Sequence, residues 1–296
     1  MKKALRFLGY GVGGLVCLIL VGVTVIYAWS EVILRRHYQA EPEAVVAAPP
    51  QLVAQGERLA HLYGCLACHG KGLTGNAVFD AEPVGDMIAP NLTKLARQRT
   101  DEELTVAIRQ GIAPGGRGLI MMPADVRSRM LPEETAALIA WIHTLPVKDG
   151  DERPFKLRLV GRLMLIMGDF RLQPVAVKEY RTMMPVDLGP KYARGRQIAA
   201  SICAECHGPD LAAGPKPMSD INPSFGNPFN DPPSLDIAGA YDLEQFRKLL
   251  RTGVPPSGKK LSMMSDVATD DLKYLTDEEI DALHGYLVAR AQQASK

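Results

Sequence analysis

The longest apolar stretch of the chain lies at its N-terminus. The run from Phe7 to Ser30 carries no charged side chain, and Lys2, Lys3 and Arg6 precede it. Such a run is long enough to cross the hydrocarbon layer of a membrane as a helix, and basic residues before it favour a cytoplasmic N-terminus. A cleaved signal peptide is the alternative, because residues 28–30 resemble a small-x-small cleavage site. The length of the apolar run favours an uncleaved anchor.

Beyond the apolar run, hydrophobic positions recur at helical spacing in short segments. Residues 55–60 have this spacing, and a capping box at Thr100 and Glu103 predicts the start of a second helix. Residues 133–145 form an amphipathic pattern that ends before Pro146. The predicted fold class is therefore all-α.

The same order of elements returns in the second half of the chain. Residues 195–199 match 56–60, residues 242–252 match the capped middle helix, and Thr276 with Glu279 forms another capping box. We interpret this as the duplication of one domain of roughly 100 residues. The predicted organisation is an anchor (1–30), a linker (31–50), a first domain (51–146), an interdomain segment (147–185), a second domain (186–290) and a tail (291–296).

The interdomain segment is net basic and contains an apolar stretch from residue 157 to 170. One interpretation is a short helix packed between the two domains. The other is a docking element for a partner subunit or for the membrane surface.

Composition and charge exclude some classes of function and of fold. The chain has 296 residues, a net charge of +1 and five cysteines. A charge this small excludes a nucleic-acid binder that relies on basic charge. Four cysteines lie in two C-x-x-C-H motifs, so only Cys17 remains, and a disulfide framework is excluded.

These motifs are Cys65-Leu66-Ala67-Cys68-His69 and Cys203-Ala204-Glu205-Cys206-His207. The C-x-x-C-H run is typical of c-type haem attachment, in which two thiols bond the vinyl groups and the histidine binds iron. A redox dithiol or half of a zinc site are the alternatives. Each motif precedes a Met-Met pair by about 60 residues, which favours haem.

With these motifs, both halves resemble class I cytochrome c domains. The whole chain resembles membrane-anchored dihaem c-type cytochromes, similar to the cytochrome subunits of periplasmic alcohol- and sugar-acid-dehydrogenase complexes. The resemblance implies two covalently bound haem c groups with His69 and His207 as proximal iron ligands. It implies a methionine as distal ligand in each domain: Met122, which precedes Pro123, and Met264, with Met263 as the alternative.

The resemblance implies further contacts around each site. The carbonyls of Pro90 and Pro233 are expected to accept a hydrogen bond from the proximal histidines, although both could be ordinary loop prolines. The first and last helices of each domain are expected to cross closely where a glycine meets an aromatic residue. These pairs are Gly56 with Trp141 and Gly195 with Tyr286.

The function that follows is electron transfer, without catalysis by this chain. We expect a single-pass protein of the bacterial inner membrane with its haem domains in the periplasm, serving the respiratory chain. It would carry electrons from a dehydrogenase or quinol-linked donor to a small cytochrome or terminal oxidase. The alternative is a dihaem peroxidase, which requires an iron with an open distal position.

Overall fold

The computed structural model describes residues 2–43, 45–212 and 232–294. The predicted all-α class is confirmed, since the described chain is predominantly helical, although one small sheet is added. The α-helices are α1 (Lys2–Leu34), α2 (Pro50–Val53), α3 (Gly56–Leu62), α4 (Cys65–His69), α5 (Leu92–Leu95), α6 (Asp101–Gln110), α7 (Ala124–Arg127), α8 (Pro132–Thr144), α9 (Leu159–Met167), α10 (Gln173–Tyr180), α11 (Ala193–Ile198), α12 (Ala204–His207), α13 (Leu243–Thr252), α14 (Ser262–Asp270) and α15 (Asp277–Ala294). Three 3-10 turns lie at Pro190–Tyr192, Leu235–Ala240 and Leu272–Tyr274, and the strands are β1 (Thr74–Ala81), β2 (Gly85–Asn91) and β3 (Lys156–Leu157).

Helix α1 contains a stretch, Leu5–Leu34, that is long and apolar enough to cross a membrane. It continues past residue 30, the boundary predicted for the anchor. The chain then forms two helical units, the first from α2 to α8 and the second from α11 to α15. The residues that follow α1 lie along the first unit: the amide of Tyr38 donates to the carbonyl of Gly116 at 2.8 Å. The amide of Glu41 donates to Gln110 Oε1 at 2.9 Å. The predicted linker is therefore hydrogen-bonded to the domain that it precedes.

Each helical unit is built on a close crossing of its first and last helices. A Cβ atom added to Gly56 would lie 2.0 Å from the Cβ of Trp141, so only glycine allows α3 to approach α8. At the second crossing, a Cβ on Gly195 would lie 2.1 Å from the carbonyl oxygen of Ala282 and 2.7 Å from the Cβ of Tyr286. Both predicted glycine–aromatic crossings are confirmed.

The capping boxes form as predicted. The Glu103 amide donates to Thr100 Oγ1 at 3.2 Å, and the Thr100 amide donates to Glu103 Oε2 at 3.1 Å. The Thr276 amide donates to Glu279 Oε2 at 2.9 Å, and Glu279 returns the bond to Thr276 Oγ1 at 3.2 Å. These bonds satisfy amides that have no partner within the helix.

The sheet is the main addition to the predicted fold. Its three strands are antiparallel in the order β1-β2-β3, and β2 pairs with β3 from the interdomain segment. Side chains below it form a core cluster with α9, including Val84, Met87, Leu157 and Met164. Because β3 comes from far along the sequence, no local pattern in residues 74–91 predicts this pairing.

The interdomain segment forms two helices with different neighbours. Helix α9 packs against the end of α1 and on the sheet. Helix α10 packs on α7 and α6, and its last residue, Tyr180, belongs to the core of the second unit. Only α10 therefore lies between the two units.

Candidate functional site

The first C-x-x-C-H motif forms the short helix α4. Gly64, with φ of 64°, turns the chain out of α3 just before Cys65, and Gly70, with φ of 79°, ends α4 just after His69. Both glycines adopt backbone conformations that other residues rarely reach. The motif is thus held as a single turn between two sharp bends.

His69 is buried and fixed by a hydrogen bond. Its Nδ1 donates to the carbonyl of Pro90, in β2, at 2.8 Å. Burial lowers the pKa of His69, and the Pro90 carbonyl opposes that effect only in part. A neutral ring with its proton on Nδ1 carries its coordinating lone pair on Nε2, as an iron ligand requires.

The second motif is reached without a break. A π-helical turn, Ala199–Cys203, joins α11 to α12, which contains His207. Gly195 precedes Cys203 by one residue fewer than Gly56 precedes Cys65, so the two copies reach their motifs by different backbone paths. Nδ1 of His207 nevertheless donates to the carbonyl of Pro233 at 2.8 Å. The hydrogen bonds predicted for both prolines are confirmed.

The chemistry of the cysteines fits haem attachment better than a redox dithiol. The five cysteines form no disulfide bond with one another. Burial raises the pKa of Cys65 to about 11 and that of Cys203 to about 12, whereas redox-active C-x-x-C thiols have lowered pKa values. Among the residues that the structure describes, no three His, Cys, Asp or Glu side chains are grouped to hold a metal ion. The raised pKa values therefore count against a redox dithiol.

The predicted distal methionines lie in unlike surroundings. Met122 lies in the turn before α7, whereas its neighbour Met121 packs against the cluster between the sheet and α9. Met263 and Met264 lie inside α14. Met264 packs against the second core, which Cys203 also borders. Met121 and Met122 therefore have different surroundings, whereas Met263 and Met264 are neighbours in one helix.

The two attachment segments, which are the C-x-x-C-H motifs and the residues just before them, pack directly against each other. Leu62, three residues before Cys65, belongs to the core of the second unit, together with Val126. Ile202, immediately before Cys203, packs against the core of the first unit. The two cores therefore interlock beside the motifs.

An ion pair crosses the same boundary. Arg127 is 3% exposed; its Nη1 donates to the carbonyl of Ser201 at 2.9 Å, and its Nη2 pairs with the carboxylate of Glu205. Glu205 lies inside the second motif, and the Arg127 guanidinium lies 5.6 Å from the ring centroid of Tyr63, near the first motif. Sequence reasoning missed this pair, because nothing in residues 124–127 indicates which part of the chain they contact.

A second group of charged side chains joins the two units. Arg194 contacts Glu134 at 3.1 Å and Glu279 at 2.8 Å, and Arg58 contacts Glu279 at 2.8 Å. The hydroxyl of Tyr63 donates to Glu134 at 2.5 Å. Each carboxylate caps a last helix and also contacts the opposite unit, so these ion pairs help to fix the orientation of the two units.

Comparison with known proteins supports the interpretation of these motifs. The cytochrome c family model matches residues 53–146 and 192–290. The chain is 25% identical over 276 residues to the fructose dehydrogenase cytochrome subunit of Gluconobacter japonicus, covering 85% of this chain and 55% of that protein. It is 27% identical over 272 residues to the cytochrome c subunit of a quinone alcohol dehydrogenase of Komagataeibacter europaeus, covering 81% and 56%.

A third relative is similar in length. The diheme cytochrome c-type protein of Cereibacter sphaeroides is 24% identical over 278 residues, covering 86% of this chain and 90% of that protein. The chain thus spans only about half the length of the two dehydrogenase subunits but most of the diheme protein.

Proposed function

The chain belongs to the cytochrome c family, and from that premise we propose that it is a membrane-anchored dihaem protein that transfers electrons between redox partners. Cys65 and Cys68 would hold one haem c, and Cys203 and Cys206 the other. His69 and His207 would be the proximal ligands of the two irons. Met122 and Met264 would be the distal ligands.

Haem c, when bound, supplies an iron that takes up and releases single electrons. The chain's own residues orient and shield it. The carbonyls of Pro90 and Pro233 hold the two imidazoles in the tautomer that can coordinate. A thioether as second ligand favours the ferrous state and occupies the position that a substrate would need.

The observation that carries the proposal is the interlocking of the two attachment segments. Leu62 belongs to the core of the second unit, Ile202 packs against the core of the first, and the buried Arg127 joins the segments through an ion pair with Glu205. Both cofactors would thus be attached to one packed block. Such a block keeps the distance between two redox centres constant, which suits electron exchange within the chain.

The relatives favour electron transfer over the peroxidase alternative, because they are named as cytochromes or as cytochrome subunits. By that similarity we propose a dehydrogenase as the donor and a small cytochrome or terminal oxidase as the acceptor. Helix α1 would anchor the protein in the bacterial inner membrane, with both haem domains on the periplasmic side.

Haem content tests the central claim. Mass spectrometry and a pyridine haemochrome assay of the purified protein are expected to show two covalent haems per chain. A chain carrying one haem or none would refute the proposal. Purification under mild detergent tests the donor, since a dedicated dehydrogenase subunit is expected to remain bound in fixed stoichiometry.

Methionine substitutions test the distal ligands, and each domain supplies its own control. Met122→Leu is expected to remove the methionine–ferric absorption band of the first haem, whereas Met121→Leu is expected to retain it. Met264→Leu and Met263→Leu form the equivalent pair in the second domain. A band that survives Met264→Leu but not Met263→Leu would move the assignment to Met263.

A further inference from the structure

Helix α9 has one face buried against the protein and another face that is partly exposed to solvent. Met164 and Leu165 are buried in the cluster below the sheet, and a Cβ on Gly161 would lie 2.2 Å from the carbonyl oxygen of Val84. On the other face, Leu159, Leu163 and Met167 are 37%, 39% and 64% exposed. These three residues follow the helical repeat, so they form one apolar stripe.

Contacts with α1 fix the position of α9 along the anchor. Arg162 donates to Ser30 Oγ at 2.8 Å and contacts Glu31 Oε2 at 3.1 Å. Its guanidinium lies 4.5 Å from the ring centroid of Tyr27. Helix α9 is therefore held at the level of residues 27–31 of α1.

The geometry of α1 places this level at the membrane boundary. Leu5–Leu34 has 30 residues, which extend for about 45 Å at about 1.5 Å per residue, whereas the hydrocarbon layer is about 30 Å thick. Arg6 keeps the start of the apolar run near one surface, so the hydrocarbon ends roughly 20 residues after Phe7, close to Tyr27. Tyr27 and Trp29 are side chains that favour the headgroup region.

We infer that α9 lies on the outer surface of the bilayer and inserts Leu159, Leu163 and Met167 among the lipids. This inference rests on the proposed membrane anchoring. Apart from Arg162, which faces α1, α9 has no charged residue that would resist burial at the interface. The contact would hold the first haem domain against the membrane at a second point beside the anchor.

Lipid-dependent quenching of a fluorescent label tests the inference in the full-length holoprotein. In that protein the attachment cysteines are bonded to haem, so Cys17 is the one thiol left for labelling. Two variants in a Cys17→Ser background carry the label at Leu163→Cys or at Ile237→Cys, an exposed apolar position in the second domain. Each protein is placed in nanodiscs of phosphatidylcholine with either ordinary or brominated acyl chains.

The label at position 163 is expected to lose emission in brominated lipid, and the label at position 237 is expected to keep it. Energy transfer to haem is the same in both lipids and cancels in the ratio. The native protein labelled at Cys17 reports separately on insertion of α1. If the Cys17 label is quenched but the label at position 163 is not, the inference is wrong while anchoring stands.

Two further outcomes would also overturn the inference. Absence of quenching of the Cys17 label in brominated lipid would refute the membrane anchoring on which the inference rests. A label at position 163 that is shielded from aqueous iodide but unaffected by brominated lipid would show that protein, and not lipid, covers the stripe.

Discussion

Removal of the Arg127 guanidinium should destabilise both units at once. In Arg127→Met the side chain keeps its bulk, but the Glu205 carboxylate loses its partner and the Ser201 carbonyl loses a charged donor. Breaking a buried ion pair from one side costs about 3–5 kcal/mol. The Glu205 side chain is 21% exposed, so water can solvate part of its charge, and we expect about 3 kcal/mol.

The free energy of unfolding is measured by urea titration of the holoprotein, with haem absorption and far-ultraviolet circular dichroism as independent probes. The matched control is Arg153→Met. Arg153 contacts Asp80 and Asp151, but its side chain is 51% exposed, so its removal should cost less than about 1 kcal/mol. Haem content is measured for every variant to ensure that both cofactors are present.

A double variant separates the ion pair from general packing damage. Arg127→Met with Glu205→Gln leaves no unpaired charge, so it should be more stable than the sum of the two single losses predicts. The reasoning fails if Arg127→Met costs no more than Arg153→Met, or if the losses of the two single variants simply add.

Three further predictions concern stability. Gly56→Ala should destabilise the protein by about 1–3 kcal/mol through overpacking at the α3–α8 crossing. The control Gly285→Ala, which has open space around it in α15, should be neutral or stabilising. Equal shifts of the two thermal unfolding temperatures would contradict this prediction. Burial raises the pKa of Asp125 to about 6, so the native state favours the protonated carboxyl and loses stability as pH rises toward that value. Asp125→Asn should therefore stabilise the protein above pH 6 and have little effect well below it. Equal urea midpoints of the variant and the native protein above pH 6 would count against this. Burial alone would raise the pKa of Glu279, but the Thr276 amide and Arg58 together lower it. The stabilisation by the Glu279 carboxylate is therefore present above its unfolded pKa and is lost as pH falls. Glu279→Gln should make the free energy of unfolding depend less on pH in the acid range, and an unchanged dependence would refute this.

Local signals in the sequence predicted the parts of the site that depend on neighbouring residues. The C-x-x-C-H spacing defines the attachment chemistry, and Thr100 with Glu103 marks a helix start through bonds between residues three apart. The crossing of Gly56 with Trp141 was also predictable, because the resemblance to a known family supplied the long-range pairing that the residues alone do not encode.

Features that depend on docking of distant segments could not be predicted in this way. Arg127 meets Glu205 only because the two cores interlock, and β3 completes the sheet from outside the first domain. Helix α9 was predicted as an apolar segment, but its place against α1 depends on Arg162 reaching residues 27–31. Sequence spacing gives no information about such partners.

The hydrogen bonds that hold residues 38–43 to the first unit have a consequence for encounters at the membrane. A carrier on a slack tether can search for partners through a hemisphere of solution. Here the Tyr38 amide is bonded to Gly116, and Glu43 is paired with Arg109 at 3.1 Å. With α1 embedded, the redox centres would stay at a constant height above the lipid. Every donor or acceptor would therefore need its own redox centre to be accessible at that height.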